Sequence, residues 1–146
     1  MQSDSLDDNI GFKISKANAA LKSLFNRYLL DAGGVFTPEQ WGTIQFLITN
    51  PGVKQADIVK TVRCDQTTMT RMLDVMQRKE LIRREPDPSD RRAFRIYATD
   101  TAVKAYRAAI PFVKKYNDAV MKIVSGNEYA AMIKTLDKII SDVSRS

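Results

Sequence analysis

Histidine is absent from this chain of 146 residues, and cysteine occurs once, as Cys64. The first absence removes the commonest transition-metal ligand and the usual proton carrier near neutral pH. The second rules out an internal disulfide and suits a reducing compartment. The six glycines are scattered, so no glycine-rich phosphate loop is present, and no carboxylate pair stands out for acid–base work. No apolar run approaches the roughly 20 residues that span a bilayer. Residues 1–9 are acidic and polar, unlike a secretory leader. The expectation is a cytoplasmic protein that is not an enzyme and needs neither cofactor nor metal.

What the chain does contain is basic charge, concentrated in one place. The formal net charge is +6, which favours a polyanionic partner because each phosphate neutralised releases condensed counterions. Eight of the eleven arginines (Arg63, Arg71, Arg78, Arg83, Arg84, Arg91, Arg92 and Arg95) fall within residues 63–95, where Lys79 is the only lysine. A guanidinium offers a planar fork of donors suited to phosphates and guanine edges, whereas lysine is a mobile point charge. The bland alternative is a solvated strip rich in arginine. A hydrophobic content of 44% over this length suffices for one core and one domain.

Periodicity orders the elements. Ile14, Ala17, Leu21, Leu24, Phe25 and Tyr28 recur at helical spacing between Ile10 and Leu30, and Asp31-Ala32-Gly33-Gly34 closes that helix. Thr37-Pro38-Glu39-Gln40 is a capping box, opening a helix that turns Trp41, Ile44, Leu47 and Ile48 inward and stops at Asn50-Pro51-Gly52. A short helix over Gln55–Val62 follows, then the tight connection Arg63-Cys64-Asp65, then a helix capped by Asp65. Short helix, tight turn and longer helix make a helix-turn-helix pattern. In the second helix Met69, Met72, Leu73 and Met76 form the inward stripe, reading as core and not as a metal box.

From Leu81 to Ala98 the pattern alternates, predicting two short antiparallel strands around a loop marked by Pro86 and Pro88. A helix capped by Thr99 runs on through Tyr106, Ile110, Val113, Val120 and Val124, and Pro111 inside it predicts a kink or break. Ser125-Gly126-Asn127-Glu128, a second capping box, opens a last helix bearing Tyr129, Met132, Ile133, Leu136, Ile139, Ile140 and Val143. The end helices carry more apolar surface than the helix-turn-helix and its two strands need for cover, and the simplest use for the surplus is a two-fold dimer, which on a DNA duplex could engage half-sites roughly 34 Å apart.

An α-helix fits the major groove, so Gln66, Thr67, Thr68 and Arg71 in the first turns are candidate DNA contacts. Gln66 suits adenine, Arg71 a guanine or a phosphate, and the threonines a phosphate or a thymine methyl, with helix capping the competing role for each threonine. The loop residues Ser89, Asp90, Arg91 and Arg92 form the second group. Asp90 is expected to pair with a guanidinium and orient it, and Arg91 or Arg92 to enter a minor groove.

Thr37-Pro38-Glu39-Gln40-Trp41, the pair Thr70-Arg71, Leu81-Ile82-Arg83-Arg84 and above all Asp87-Pro88-Ser89-Asp90-Arg91-Arg92-Ala93 resemble the MarR family of bacterial winged-helix transcription regulators, over about residues 10–145. The resemblance implies a mainly α winged helix-turn-helix with a small β-hairpin wing, in an intertwined helical homodimer. Residues 10–35 and 99–146 would form the dimerisation region and 36–98 the DNA-binding region of a single unit. It further implies a palindromic double-stranded operator and repression relieved by a small aromatic or phenolic ligand. Thr70 joins the reading-helix candidates, Asp90 and Arg92 match the family's wing aspartate and arginine, Arg92 becomes the minor-groove residue, and Arg91 becomes a phosphate contact. Two positions depart from the family: Glu80 and Ala102 stand where glycine is usual, and Glu80 puts the left-handed helix stop before the wing in question.

Two other readings stay open. One is a winged-helix adaptor whose basic face meets an acidic protein. The other is a thiol-based redox sensor using Cys64, whose competing role is a small packing residue. Phe25, Tyr28, Trp41, Phe46 and Tyr106 supply aromatic surface to a ligand pocket between helical base and reading head, or simply to the core.

Overall fold

The computed structural model describes residues 5–62 and 64–145. Arg63, expected in the turn before the reading helix, and residues 1–4 of the acidic N-terminus lie outside the described residues.

After a short 3-10 turn at Leu6–Asp8, helix α1 runs over Ile10–Asp31, capped by the Asn9 side chain. Its C-terminal stop needs glycine: Gly33 has φ 113° and Gly34 φ 68°, letting Gly34 N–H reach back to Leu29 C=O and Gly33 N–H to Leu30 C=O. Helix α2 covers Pro38–Thr49, and both bonds of its capping box form, Thr37 Oγ1 accepting from Gln40 N–H and Gln40 Oε1 from Thr37 N–H. Helices α3 (Gln55–Val62) and α4 (Gln66–Arg78) follow the expected boundaries.

Strands β2 (Ile82–Pro86) and β3 (Phe94–Ala98) pair antiparallel with Arg84 opposite Ile96. A third strand was not expected. Val53–Lys54, β1, adds to the far side of β3 with Val53 opposite Ile96, giving the sheet order β1-β3-β2. Two residues are too few for an alternating pattern to register in sequence. The turn before β1 demands its glycine, since Gly52 has φ 75° and a Cβ there would sit 2.8 Å from the Tyr97 hydroxyl.

The end of α4 answers the question posed by Glu80. Glu80 has φ 59°, the only positive φ among the described non-glycine residues. Leu81 N–H donates to Met76 C=O at 2.8 Å and Glu80 N–H to Gln77 C=O at 3.0 Å, so the left-handed stop forms without glycine. Thr99 holds it from outside, its hydroxyl donating to Glu80 C=O at 2.6 Å and its N–H to Leu81 C=O at 3.1 Å. The same hydroxyl accepts from Ala102 N–H at 3.2 Å and caps helix α5 (Asp100–Ile123). One residue thus joins reading helix, wing and long helix.

Helix α5 passes unbroken through Pro111, so the expected local break is not there. Pro111 and Arg107 are both exposed, which lets solvent stand in for the N–H that Pro111 cannot offer to the Arg107 C=O. The buried line of α5 is carried by Ala102 and Ala109, whereas Ile110 is 39% exposed. Helix α6 (Gly126–Val143) buries none of its residues. The core gathers Leu29, Trp41, Ile44, Leu47, Ile58, Met69, Leu73, Met76, Ile82 and Ile96 with Ala102 and Ala109, so the reading head shares its core with α1 and α5.

Because left-handed backbone costs an L-residue about 1–2 kcal/mol that glycine escapes, Glu80→Gly is expected to raise the unfolding free energy by about 1 kcal/mol. Thermal melts check this, and a lower midpoint would mean that the Glu80 side chain makes a compensating contact.

Candidate nucleic-acid interface

Burial of Met69, Leu73 and Met76, each at 0% exposure, fixes the rotation of α4 about its axis and turns Gln66, Thr67, Thr70, Arg71 and Arg78 to the exposed side. At its start Asp65 Oδ1 accepts from Thr68 N–H at 2.7 Å and Asp65 Oδ2 from the Thr68 hydroxyl at 2.8 Å. These bonds from Thr68 hold the Asp65 carboxyl below its ordinary pKa. Thr68 therefore fills the capping role weighed against base contact. Thr70 is committed as well, donating to Gln66 C=O at 2.8 Å while accepting from Gln55 Nε2 at 2.8 Å. The side chains of Gln66, Thr67 and Arg71 make no hydrogen bond or ion pair among the described residues, and they are left to meet a partner.

The wing is organised by a residue the sequence reading passed over. The Asp87 side chain is fully buried. Its Oδ1 accepts from Ser89 N–H at 2.9 Å, the Ser89 hydroxyl at 2.8 Å and Asp90 N–H at 3.1 Å. Its Oδ2 accepts from Arg95 Nε at 3.0 Å and lies 3.8 Å from Lys54 Nζ, across the strand pair Lys54 and Arg95. The bonds from Ser89, with Arg95 and Lys54 behind them, hold this carboxyl far below the usual carboxylate range. Part of the signal was available, since an acid before Pro-Ser with a cation eight residues on, at Arg95, describes an anchored turn, whereas Lys54 comes from a strand that only the fold reveals.

Among the described residues no guanidinium pairs with Asp90, which corrects the expectation. Its Oδ1 accepts from the Arg92 backbone N–H at 3.0 Å, because the tight turn brings that amide closer than any arginine head. The arginine cluster also divides. Arg84 donates to Asp74 at 2.9 Å and Gln77 at 2.6 Å and is 16% exposed at its side chain, tying β2 to α4. Arg83 stacks 4.4 Å from the Tyr97 ring centroid and bonds Glu85, and Arg95 holds Asp87. Arg71, Arg78, Arg91 and Arg92 are exposed, and their side chains are unpaired among the described residues. These four, with Lys79, carry the net positive field of this face.

Around Trp41 lies an aromatic cluster. Trp41 stacks on Tyr106 at 4.2 Å and meets Phe25 and Phe36 edge-on at 6.2 and 6.1 Å, while Tyr116 lies 4.7 Å from Phe25 and 6.2 Å from Tyr28. Burial pushes the Tyr116 phenol above its ordinary pKa. Phe25, Tyr28, Trp41 and Tyr106 are thus brought together as expected. Phe46 is not, lying instead in a groove between α2 and α3 with Thr49 and Val62. Phe36 was missed because it stands outside the helical runs, whereas Tyr116 lies within the α5 run, three residues after Val113 and four before Val120, and was passed over. Cys64 is half-buried and packs against the core.

The described helices include none long and apolar enough to cross a membrane. A family model described as MarR family matches residues 36–94. The HTH-type transcriptional repressor NicR of Pseudomonas putida is 25% identical over 91% of this chain and 83% of its own length. A mutant of MarR from Escherichia coli, solved with operator DNA, superposes with a TM-score of 0.85 over 94% of this chain and 99% of that one, at 23% identity. The PcaV transcriptional regulator from Streptomyces coelicolor, solved with its natural ligand, gives a TM-score of 0.84 over 97% and 98%, at 19% identity. The two structures share the fold of this chain.

A carboxyl whose folded pKa is depressed adds stability that is present above the ordinary range near 4 and is lost as pH falls through and below it. Asp87→Asn is therefore expected to be less stable than wild type at pH 7, and the difference to shrink steadily below about pH 4. Denaturant melts across that range check the sign. A constant difference at all pH values would mean that the Asp87 charge plays no part in anchoring the wing.

Proposed function

We propose that the chain, whose residues 36–94 match the MarR family model, is a member of that family, a cytoplasmic, sequence-specific regulator of transcription that binds double-stranded DNA as a homodimer. The observation that carries this reading is a pair of open polar surfaces on a rigid frame. Among the described residues Gln66, Thr67 and Arg71 stand unpaired on a helix of groove size, and Arg91 and Arg92 stand unpaired on a wing anchored through Asp87. Gln66 reads a base edge, Arg71 takes a guanine or a phosphate, Arg92 enters the minor groove, and Arg91 holds a phosphate. Thr68, Thr70, Ser89 and Asp90 shape the surface from within. The hydroxyl protons of the first three are already donated inside the chain, and a phosphate offers only acceptors.

Residues 36–98 form the DNA-binding region in this proposal, and residues 10–35 with 99–146 the dimerisation region. The apolar faces of α1 and α6 support the second half. Ile10 is 65% exposed, Met132 50% and Val143 69%, and the two helices border an open groove of about 820 Å³ through Ile14, Leu21, Leu136 and Ile139. Apolar surface of that extent is usually covered by another chain. A second copy would set two reading heads on one palindrome. Repression relieved by a small effector is supported by the repressor among the relatives and the ligand held by a structural neighbour. The cluster around Trp41 is the surface suited to an aromatic effector.

Arg92→Ala is expected to weaken binding to a duplex selected from random sequence by about tenfold with an unchanged circular dichroism spectrum. Fluorescence anisotropy across a salt series gives the readout. Affinity that is independent of salt and of duplex sequence would favour the acidic-partner adaptor instead. Ile133→Glu is expected to convert the protein from dimer to monomer in sedimentation. A wild-type monomer at micromolar concentration would remove the two-fold model.

A further inference from the structure

The side-chain bond between Gln55 and Thr70 links the first residue of α3 to the exposed face of α4 at 2.8 Å. Its direction is decided by proton count. Thr70 Oγ1 also lies 2.8 Å from Gln66 C=O, which can only accept, so the single hydroxyl proton is spent there. The Gln55 atom facing Thr70 must then be the amide nitrogen. Gln55 is left with one N–H and its C=O unused, on a half-exposed side chain that no other bond engages among the described residues. An amide pinned through one of its protons has lost most of its rotamer freedom before any partner arrives.

We propose that Gln55 is a further DNA-contacting residue, its remaining amide N–H donating to a phosphate oxygen, with Thr70 as the residue that positions it. The assignment rests on the DNA-binding reading above and extends it to a residue outside the reading helix. A helix with its side chains is about 10–12 Å across, and the major groove is about 12 Å wide, so α4 alone fills the groove. Gln55 comes from the neighbouring helix and touches α4 from its flank. What it meets there is the sugar–phosphate wall and not the base edges on the floor. A phosphate accepts, and Gln55 retains a donor for it. This contact would set how far α4 advances into the groove and in which register Gln66 meets its base.

The test uses the full-length protein and a duplex recovered by wild type from a random-sequence library. Gln55→Ala is expected to bind it about five- to tenfold more weakly, to weaken on random duplex by the same factor, and to recover the same preferred sequence on reselection. Thr70→Val, which removes both ends of the hydroxyl's chemistry at constant shape, should lose a similar factor. The double variant should lose little more, and Thr70→Ser should bind like wild type. Gln55→Glu, which cannot donate and places a carboxylate beside phosphates, should lose more than Gln55→Ala, most of all at low salt. Unchanged affinity in Gln55→Ala, fully additive losses, or a preferred sequence altered at one position would each overturn the assignment. The last of these would make Gln55 a reader of bases. A wild-type protein that retains no duplex at all would instead sink the DNA-binding reading, and this contact with it.

Discussion

Burial of Met69, Leu73 and Met76 is the constraint on which the interface depends. A helix can present one face to a groove only if its opposite face is held, and full burial of one such side chain contributes about 1.5–3 kcal/mol. The stripe decides which way α4 faces, and the Asp65 cap decides where it begins. With both settled, Gln66, Thr67 and Arg71 face outward with no side-chain partner among the described residues. The adjoining α3 is locked on by the Gln55 amide, so the two helices of the motif present one surface instead of two.

The wing follows a different logic, electrostatic where α4 is apolar. Its tip has no core to pack against, and a loop of seven residues between β2 and β3 would sample many conformations. The buried Asp87 carboxylate removes that freedom by gathering the turn amides on one oxygen and Arg95 with Lys54 on the other. Anchoring consumes some of the basic charge, since Arg95 serves the acid and Arg84 serves Asp74 and Gln77. The arginines that remain free stand at the tip and along α4, where a polyanion can reach them. A cluster that looks uniform in sequence is thus half framework and half contact surface.

Much of the fold was legible because its signals are local. Both capping boxes, the Asp65 cap, the glycine stop of α1 and the methionine stripe each occupy a few adjacent residues, and each forms as read. What escaped was non-local or fell below the length at which a pattern registers. Strand β1 has two residues, and only β3 makes it a strand. Glu80 adopts φ 59° against its own preference because Thr99, nineteen residues on, holds its carbonyl. Asp90 looked like the partner of an arginine, yet the turn offers it the Arg92 amide first.

The sequence by itself determined the order of elements, the inward and outward faces of each helix, the basic character of the region 63–95 and the unusual apolar load of the end helices. Those properties depend on composition and on spacing within one helical turn or one strand pair, which the covalent chain specifies directly. Tertiary structure alone decided which polar groups are spent and which are free. Thr70, Arg84 and Arg95 are chemically as able to meet DNA as Thr67, Arg71 and Arg92, but each has a partner brought to it by folding. A hydrogen bond is made within about 3 Å, and residues ten or fifteen apart in the chain come that close only when helices and strands have packed.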